Sequence, residues 1–374
     1  MTPAARTLTD AERLDWLRLI RSENVGPVTF FALLRHFGSA AAALDAAPAL
    51  SRRGGRTRPI RIAGRDAAEA EMAALARLGG RLIGWGEPDY PAPLAAVADA
   101  PPLIQVLGHA PLLRRPCVGM VGARNASAAG RRFARDLAAG LGQAGHVVVS
   151  GMARGIDTAA HEGALETGTV AVVAGGVDVV YPPENATLYD ALAARGAVLG
   201  ERPPGTQPTA RHFPPRNRLI SGLCLGVVVV EAAPRSGSLI TARMAAEQGR
   251  EVFAVPGSPL DPRHRGTNGL IRDGAVLTES AADVIDALKA MRPPLLGEPP
   301  APEMGTQPVG EQQESEVEPA RRRVMELLGP VAVTVDELFR ECQVSPPVVL
   351  TVLLELELAG RLERHPGNKV SLVM

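Results

Sequence analysis

Lysine is almost missing from this chain: of 40 basic side chains only Lys289 and Lys369 are lysines. A P-loop, G-x-x-x-x-G-K-[ST], needs its lysine in a strand-end glycine loop, and neither lysine stands in one. The bias itself has an ordinary origin in GC-rich coding. Its functional reading is that arginine suits bidentate phosphate contacts and stacking on bases, and composition does not choose between the two. Cysteine is scarce as well. Cys117, Cys224 and Cys342 are far apart with no C-x-x-C pair, so neither a disulfide framework nor a zinc site is indicated, and buried packing is their expected role. No apolar run approaches the roughly 20 residues of a membrane span. The N-terminal MTPAARTLTDAERLDWL carries acids and no apolar h-region, unlike a secretory signal. A cytoplasmic location with no membrane partner is the default expectation.

Formal charge is zero, yet its distribution is uneven. Residues 1–109 hold 13 basic and 11 acidic side chains, residues 110–290 hold 19 and 16, and residues 291–374 hold 8 and 13. A length of 374 residues allows two or three domains, each with its own core.

The clearest pattern runs from Cys117 to about Met291. Apolar strand-like runs at Cys117–Val121, His146–Ser150, Thr169–Ala174, Ala197–Gly200, Gly226–Ala233, Glu251–Val255 and Ala275–Thr278 alternate with helical segments such as Ser127–Leu141, Asp157–Glu166 and Glu184–Ala194. Alternation of this kind predicts an α/β fold: an extended, Rossmann-like, mostly parallel sheet covered on both faces.

The flanks differ. Residues 1–80 predict a helical module in which Thr9 caps a first helix and Gly26-Pro27 turns the chain into a second, ended by Gly38. The turn resembles that of helix-hairpin-helix and SAM-like modules, with a plain packing module as the alternative. Ser51–Arg65 holds six arginines and no acid and reads as a solvated or mobile loop. A β/α extension over 81–110 opens the core domain 81–291. Residues 292–319 are rich in Pro, Gly, Glu and Gln and predict a linker. Residues 320–374 predict three helices and a two-stranded wing with Pro366-Gly367-Asn368 at its tip, a winged helix. Its third helix carries Glu355 and Glu357 and no Lys or Arg, which disfavours lying along phosphates and favours a protein-contact or regulatory role.

Ligands of an open parallel sheet collect at the carboxyl ends of its strands. The loops there are Gly122-Ala123-Arg124-Asn125, Ser150–Asp157 with Gly151 and Arg154, Gly175–Asp178, the long segment 202–218, Ser236-Gly237-Ser238, and Gly257–Gly269. Glycine lets backbone approach an anion, and a hydroxyl at a helix start adds a donor. Several such loops along one edge fit a polyanion better than one small phosphate. His212-Phe213-Pro214-Pro215-Arg216-Asn217-Arg218 sets an aromatic ring beside two guanidiniums and an amide on a Pro-rich loop. A base can stack on Phe213 while Arg216 or Arg218 reaches phosphate; alternatively Phe213 is core and the arginines hold Glu201 or Glu231. Asp157 and His161, at i and i+4, fit an acid/base pair less well than a capping acid beside a structural histidine. Glu231 can act on a sugar, hold an arginine or cap a helix.

In series, VGARNAS, SGMARGIDTAAHEGAL, GGVDVVYPPEN, FPPRNRLISGL, VVVVEAAPRSGSLITARMAAEQGREVFAVPG and GTNGLIRDGA resemble the DprA/Smf family of DNA-processing proteins. The resemblance implies a DNA-binding mediator without catalytic residue, cofactor or metal. It implies binding of single-stranded DNA on the core and dimerisation through it. It further implies loading of a RecA-type recombinase past single-strand-binding protein, in natural transformation or repair. Arg124 and Phe213 match family DNA contacts; Gly122, Gly151, Arg154, Arg216, Asn217, Arg218, Gly237 and Ser238 join the cradle by position. The competing class is a nucleotide-processing enzyme of the phosphoribohydrolase type, whose P-G-G-x-G-T-x-x-E run this chain lacks.

Overall fold

The computed structural model describes residues 7–291, 311–365 and 367–373. They fall into two compact units, one holding the described residues from Glu71 to 291, the other uniting Leu8–Ala70 with the described residues after 310.

Four helices open the chain: α1 (Asp10–Arg21), α2 (Pro27–Phe37), α3 (Ala40–Arg53) and α4 (Arg65–Arg77). Thr9 and Glu12 form a reciprocal capping box at α1, and Gly38 ends α2 with φ +77°, a left-handed conformation that glycine adopts without a Cβ penalty. The basic stretch 51–65, expected as a solvated or mobile loop, is loop over 54–64 with most of its arginines exposed. Its first residues finish α3, and Glu23 then gathers it, accepting from Arg56 Nη2 at 2.8 Å and from the Arg61 amide at 3.1 Å.

The larger unit begins with β1 (Arg81–Gly84), α5 (Ala92–Ala95) and β2 (Leu103–Gly108). It continues with β3 (Cys117–Gly122), α6 (Ala128–Gln143), β4 (Val147–Ser150), α7 (Ile156–Ala164), β5 (Thr169–Val172), α8 (Ala186–Arg195) and β6 (Ala197–Gly200). Then come α9 (Phe213–Leu223), β7 (Gly226–Val230), α10 (Gly237–Glu247), β8 (Glu251–Ala254), α11 (Arg265–Arg272), β9 (Val276–Leu277) and α12 (Ala281–Ala290). One sheet has the order β1-β2-β6-β5-β4-β3-β7-β8-β9, parallel from β6 to β9, with β1 and β2 antiparallel at one edge.

Its valine-rich strands are buried on both faces, as a parallel sheet demands. Val147, Val149, Val227 and Val229 pack with Leu219 and Leu223 of α9 and Ala242 of α10. Their neighbours Val148, Val228 and Val230 pack on the other side with Leu137 and Leu141 of α6 and Ile156 of α7. The period-two alternation of a strand assigns each valine its layer. Cys117, Cys224 and Cys342 are all free and buried; burial pushes the Cys117 thiol up to about 12, so it packs as a small apolar side chain.

The C-terminal part consists of α13 (Glu311–Leu327), β10 (Val333–Thr334), α14 (Val335–Cys342), α15 (Pro346–Leu358), β11 (Leu362–His365) and β12 (Lys369–Leu372). Two expectations change here. Residues 311–319 are helical rather than linker, while 292–310 lie outside the described residues, as does Pro366 of the wing tip. The wing gains a third strand, in the order β10-β12-β11. The acids of α15 are internally matched: Glu355 is 0% exposed and accepts from Arg321 Nη2 at 2.6 Å, and Glu357 accepts from Arg364 Nε at 2.9 Å. Helix α15 also packs on α3, where a Cβ at Gly54 would fall on the Glu355 carbonyl oxygen, and Asn24 Nδ2 donates to Leu358 O at 3.1 Å.

Candidate nucleic-acid interface

A cleft of about 290 Å³ lies at the carboxyl ends of β3, β4 and β5. The loop after β3 contributes Arg124, the loop after β4 Met152, Ala153 and Arg154, and the start of α9 contributes Phe213 and Arg216. Close backbone approach places these loops. Gly155, at φ +84°, has no room for a Cβ against the Ala123 and Arg124 carbonyls, and the Ile156 amide donates to Ala123 O at 3.2 Å. The start of α7 thereby braces the loop that carries Arg124.

The half-buried Phe213 ring is the centre of the wall. Arg124 Cζ stands 5.4 Å from its centroid and Arg216 Cζ 5.8 Å, while the exposed Tyr181 ring lies 6.0 Å away at 52°. Cations over an aromatic face gain from its quadrupole. The same arrangement offers a π surface beside positive charge.

Under the cleft lies a buried polar floor. Arg216 is 8% exposed and donates through Nη1 to Val172 O at 2.5 Å; its Nε is buried with no partner among the described residues. Burial lowers the Arg216 pKa, and the charge of Asp157 works against that. Asp157 is in turn raised by burial and lowered by Arg216, and accepts from the Ala153 amide at 3.1 Å. A Cβ on Gly151 would collide with the Arg216 guanidinium and the Asp157 carboxylate, so Gly151 makes room for the pair. His161 is not the partner of Asp157. Nε2 lies 2.6 Å from the Gly151 carbonyl and Nδ1 2.7 Å from the Thr169 hydroxyl, and burial drives its pKa down to about 4. In that neutral ring Nε2–H donates to the carbonyl, and Nδ1 shares the Thr169 hydroxyl with Val148 O. The structural reading of His161 holds.

Not all the candidate residues meet here. The segment from Phe213 is helix, not the Pro-rich loop expected, and Pro214-Pro215 occupy its first turn, where proline costs no hydrogen bond. Phe213 and Arg216, three apart, share a helical face; Asn217 and Arg218 are buried and do not line the cleft. Arg218 donates to Glu201 at 2.6 Å and to Asp99 O at 2.7 Å, tying the 81–110 extension to the core. Gly122 is needed for packing, since a Cβ there would fall on the Val230 carbonyl of the neighbouring strand. Arg154 lines the cleft, exposed and 3.9 Å from Glu184.

Gly237 and Ser238 sit at the start of α10, next to β7, and do not line the cleft. Between them and the cleft stands Glu231. Its carboxylate accepts from the Ser127 amide at 2.8 Å and from the Ser127 hydroxyl, occupying the N-terminus of α6. The crevice between β3 and β7, where the strand order reverses and ligands ordinarily bind, therefore holds an internal anion. A continuous row of phosphate seats from Arg124 to Ser238 is interrupted there. Tyr181 was missed; the available signal was an aromatic residue in a strand-end segment of a chain with three tyrosines.

Residues 81–289 match the family model described as DNA recombination-mediator protein A. Residues 10–74 match the DprA-like N-terminal HHH domain and residues 308–368 the DprA winged helix domain. The DNA processing protein DprA of Streptococcus pneumoniae is 48% identical over 198 residues, 52% of this chain and 70% of that protein. Its X-ray structure aligns with TM-score 0.61 and 35% identity, covering 75% of this chain and 98% of the other. Protein Smf of Escherichia coli is 37% identical over 311 residues, 82% of each chain. DNA processing protein A from Helicobacter pylori, a structure that describes that protein's single-stranded DNA binding mode, aligns with TM-score 0.52 and 28% identity over 56% of this chain and 96% of its own. With a matched core module flanked by matched modules on either side, this chain belongs to the DprA/Smf family, the DNA recombination-mediator proteins.

Proposed function

We propose that this protein binds single-stranded DNA in the cleft at the ends of β3, β4 and β5 and acts as a recombination mediator without a catalytic step. The observation that carries the reading is Phe213 flanked by Arg124 and Arg216 on the wall of an open cleft. A base stacks on the ring, and Arg124 and Arg154 reach the backbone phosphates. Arg216, which lines the cleft beside the ring, adds positive charge beneath the bound strand. A cleft of about 290 Å³ is of a size to take an unstacked base. The mediator role extends to partners: a RecA-type recombinase loaded onto the bound strand, single-strand-binding protein displaced from it, and a second copy of the chain as a homodimer.

The alternative of a nucleotide-processing enzyme has less to stand on. Glu231 is held by Ser127, and Asp157 and His161 are buried and separately bonded. None of these three lines the cleft.

Equilibrium binding to a homopolymeric single strand and to a duplex of equal length tests the reading. Single strands are expected to bind well above duplex, with log K falling as log[salt] rises because counterions are released. Phe213→Ala should cost roughly 1–3 kcal/mol and Arg124→Ala should reduce the salt slope, both with unchanged thermal midpoints. Equal affinity for duplex, or wild-type affinity in both variants, would sink the proposal; release of free base from a nucleotide would favour the enzyme.

A further inference from the structure

A second groove, about 430 Å³, opens beside the cleft over α6 and α7, and Arg154 lines both. Its other polar walls are Arg131, Arg132 and Arg135 of α6, Thr158 and Glu162 of α7, and Asn185. Most of these groups are already engaged. Arg135 pairs with Glu162, Thr158 Oγ1 donates to Ala153 O at 3.0 Å, and Asn185 Nδ2 donates to Met152 O at 2.8 Å. Arg131 and Arg132 are not: both are exposed and form no ion pair among the described residues.

Helix stability gives Arg131 no role, and offers Arg132 only Asp136 at i+4, with which it forms no ion pair. Helix α6 starts at Ala128 with no acid of its own in its first turn; the Glu231 carboxylate already serves that N-terminus, and Arg131, at the end of the turn, opposes the dipole. Arg131 and Arg135, like charges at i and i+4, repel as well. Two exposed arginines without an ion pair among the described residues, on the wall of a groove that shares Arg154 with a cationic cleft, are explained by an anionic ligand that runs through both.

We infer that a single strand seated on Phe213 leaves the cleft over Arg154 and continues along this groove, where Arg131 and Arg132 hold its next phosphates. The inference rests on the reading of the cleft as the single-strand site. It assigns the groove to backbone charge rather than base identity, because it offers guanidiniums and no aromatic ring.

The test compares oligothymidines of about 4 and about 16 nucleotides, binding to the full chain and to a double variant carrying Arg131→Ala and Arg132→Ala. Each lost phosphate contact should lower the slope of log K against log[salt] by about 0.7. The long strand should therefore lose roughly 10- to 30-fold near 0.1 M salt, while the short one binds as to wild type. The matching Arg→Lys pair should restore most of the loss, and thermal midpoints should not move. A double variant that binds the long strand like wild type, or loses both lengths equally, overturns the second segment of the path. Failure of the cleft reading has a different signature: Phe213→Ala would then leave both lengths unaffected.

Discussion

Arg216 and Arg218 are two positions apart and have opposite roles, because helical geometry turns the first toward Phe213 and the second toward Glu201 and Asp99. Arg218→Ala would remove the guanidinium that bonds the half-buried Glu201 and the Asp99 carbonyl. Losing hydrogen bonds to a charged group costs about 1.5–3 kcal/mol, so this variant is expected to melt below wild type, whereas Arg124→Ala is not; differential scanning calorimetry separates the two. His161 supplies a pH signature. Its pKa is about 4 when folded against an ordinary histidine value of 6.5, so between these values the unfolded chain binds more protons. The stability from neutral His161 is complete above about pH 6.5 and is lost as pH falls toward 4, by roughly 3 kcal/mol in total. Asp157, raised by burial, acts in the opposite direction over the acid range. Urea titrations of wild type and His161→Gln at pH 7 and near pH 4 isolate the histidine: the acid loss should be smaller in the variant, and an identical loss would show that His161 does not titrate as its burial requires.

Helices and strands explain why the cleft lies to one side of the crevice between β3 and β7. That crevice is filled by Glu231, a strand-end residue at φ +52° whose carboxylate caps α6. A carboxylate there caps the helix and occupies the place of an external anion, and the strand-end loops that line the open cleft are those of β3, β4 and β5 with the start of α9. In the second unit the decisive element is α15, the helix that would enter a groove in a DNA-reading winged helix. Nine of its residues are buried, it packs against α13 and α3, and its two glutamates hold Arg321 and Arg364. Gly54 has φ −68°, so its backbone does not require glycine; only the approach of α15 does. Gly54→Ala is therefore expected to lower the stability of this unit by roughly 1–3 kcal/mol through overpacking, seen as a lower midpoint in thermal unfolding. An unchanged midpoint would mean that α3 and α15 do not pack this closely.

Much of the architecture was legible in the chain. Alternation of apolar runs with helical periods is a local property, set by backbone geometry within ten or fifteen residues, and it placed all seven parallel strands, β3 to β9, within a few residues of where they lie. The motif series identified the family and put Arg124, Arg154, Phe213 and Arg216 on one cleft. Other features depended on groups far apart in sequence. Glu231 meets Ser127 across 104 residues, Arg218 meets the Asp99 carbonyl across 119, and α15 meets α3 across some 300. A carboxylate or guanidinium in the sequence carries its charge but not its partner, since the partner is chosen by which surfaces the sheet and helices bring together. Local order, helix caps, layer assignment and family follow from the order of residues because short-range sterics and burial periodicity govern them. The partners of the buried charges, the position of the cleft beside the β3/β7 crevice and the sequestering of α15 follow from packing, which alone determines which charges are neutralised internally and which stay exposed.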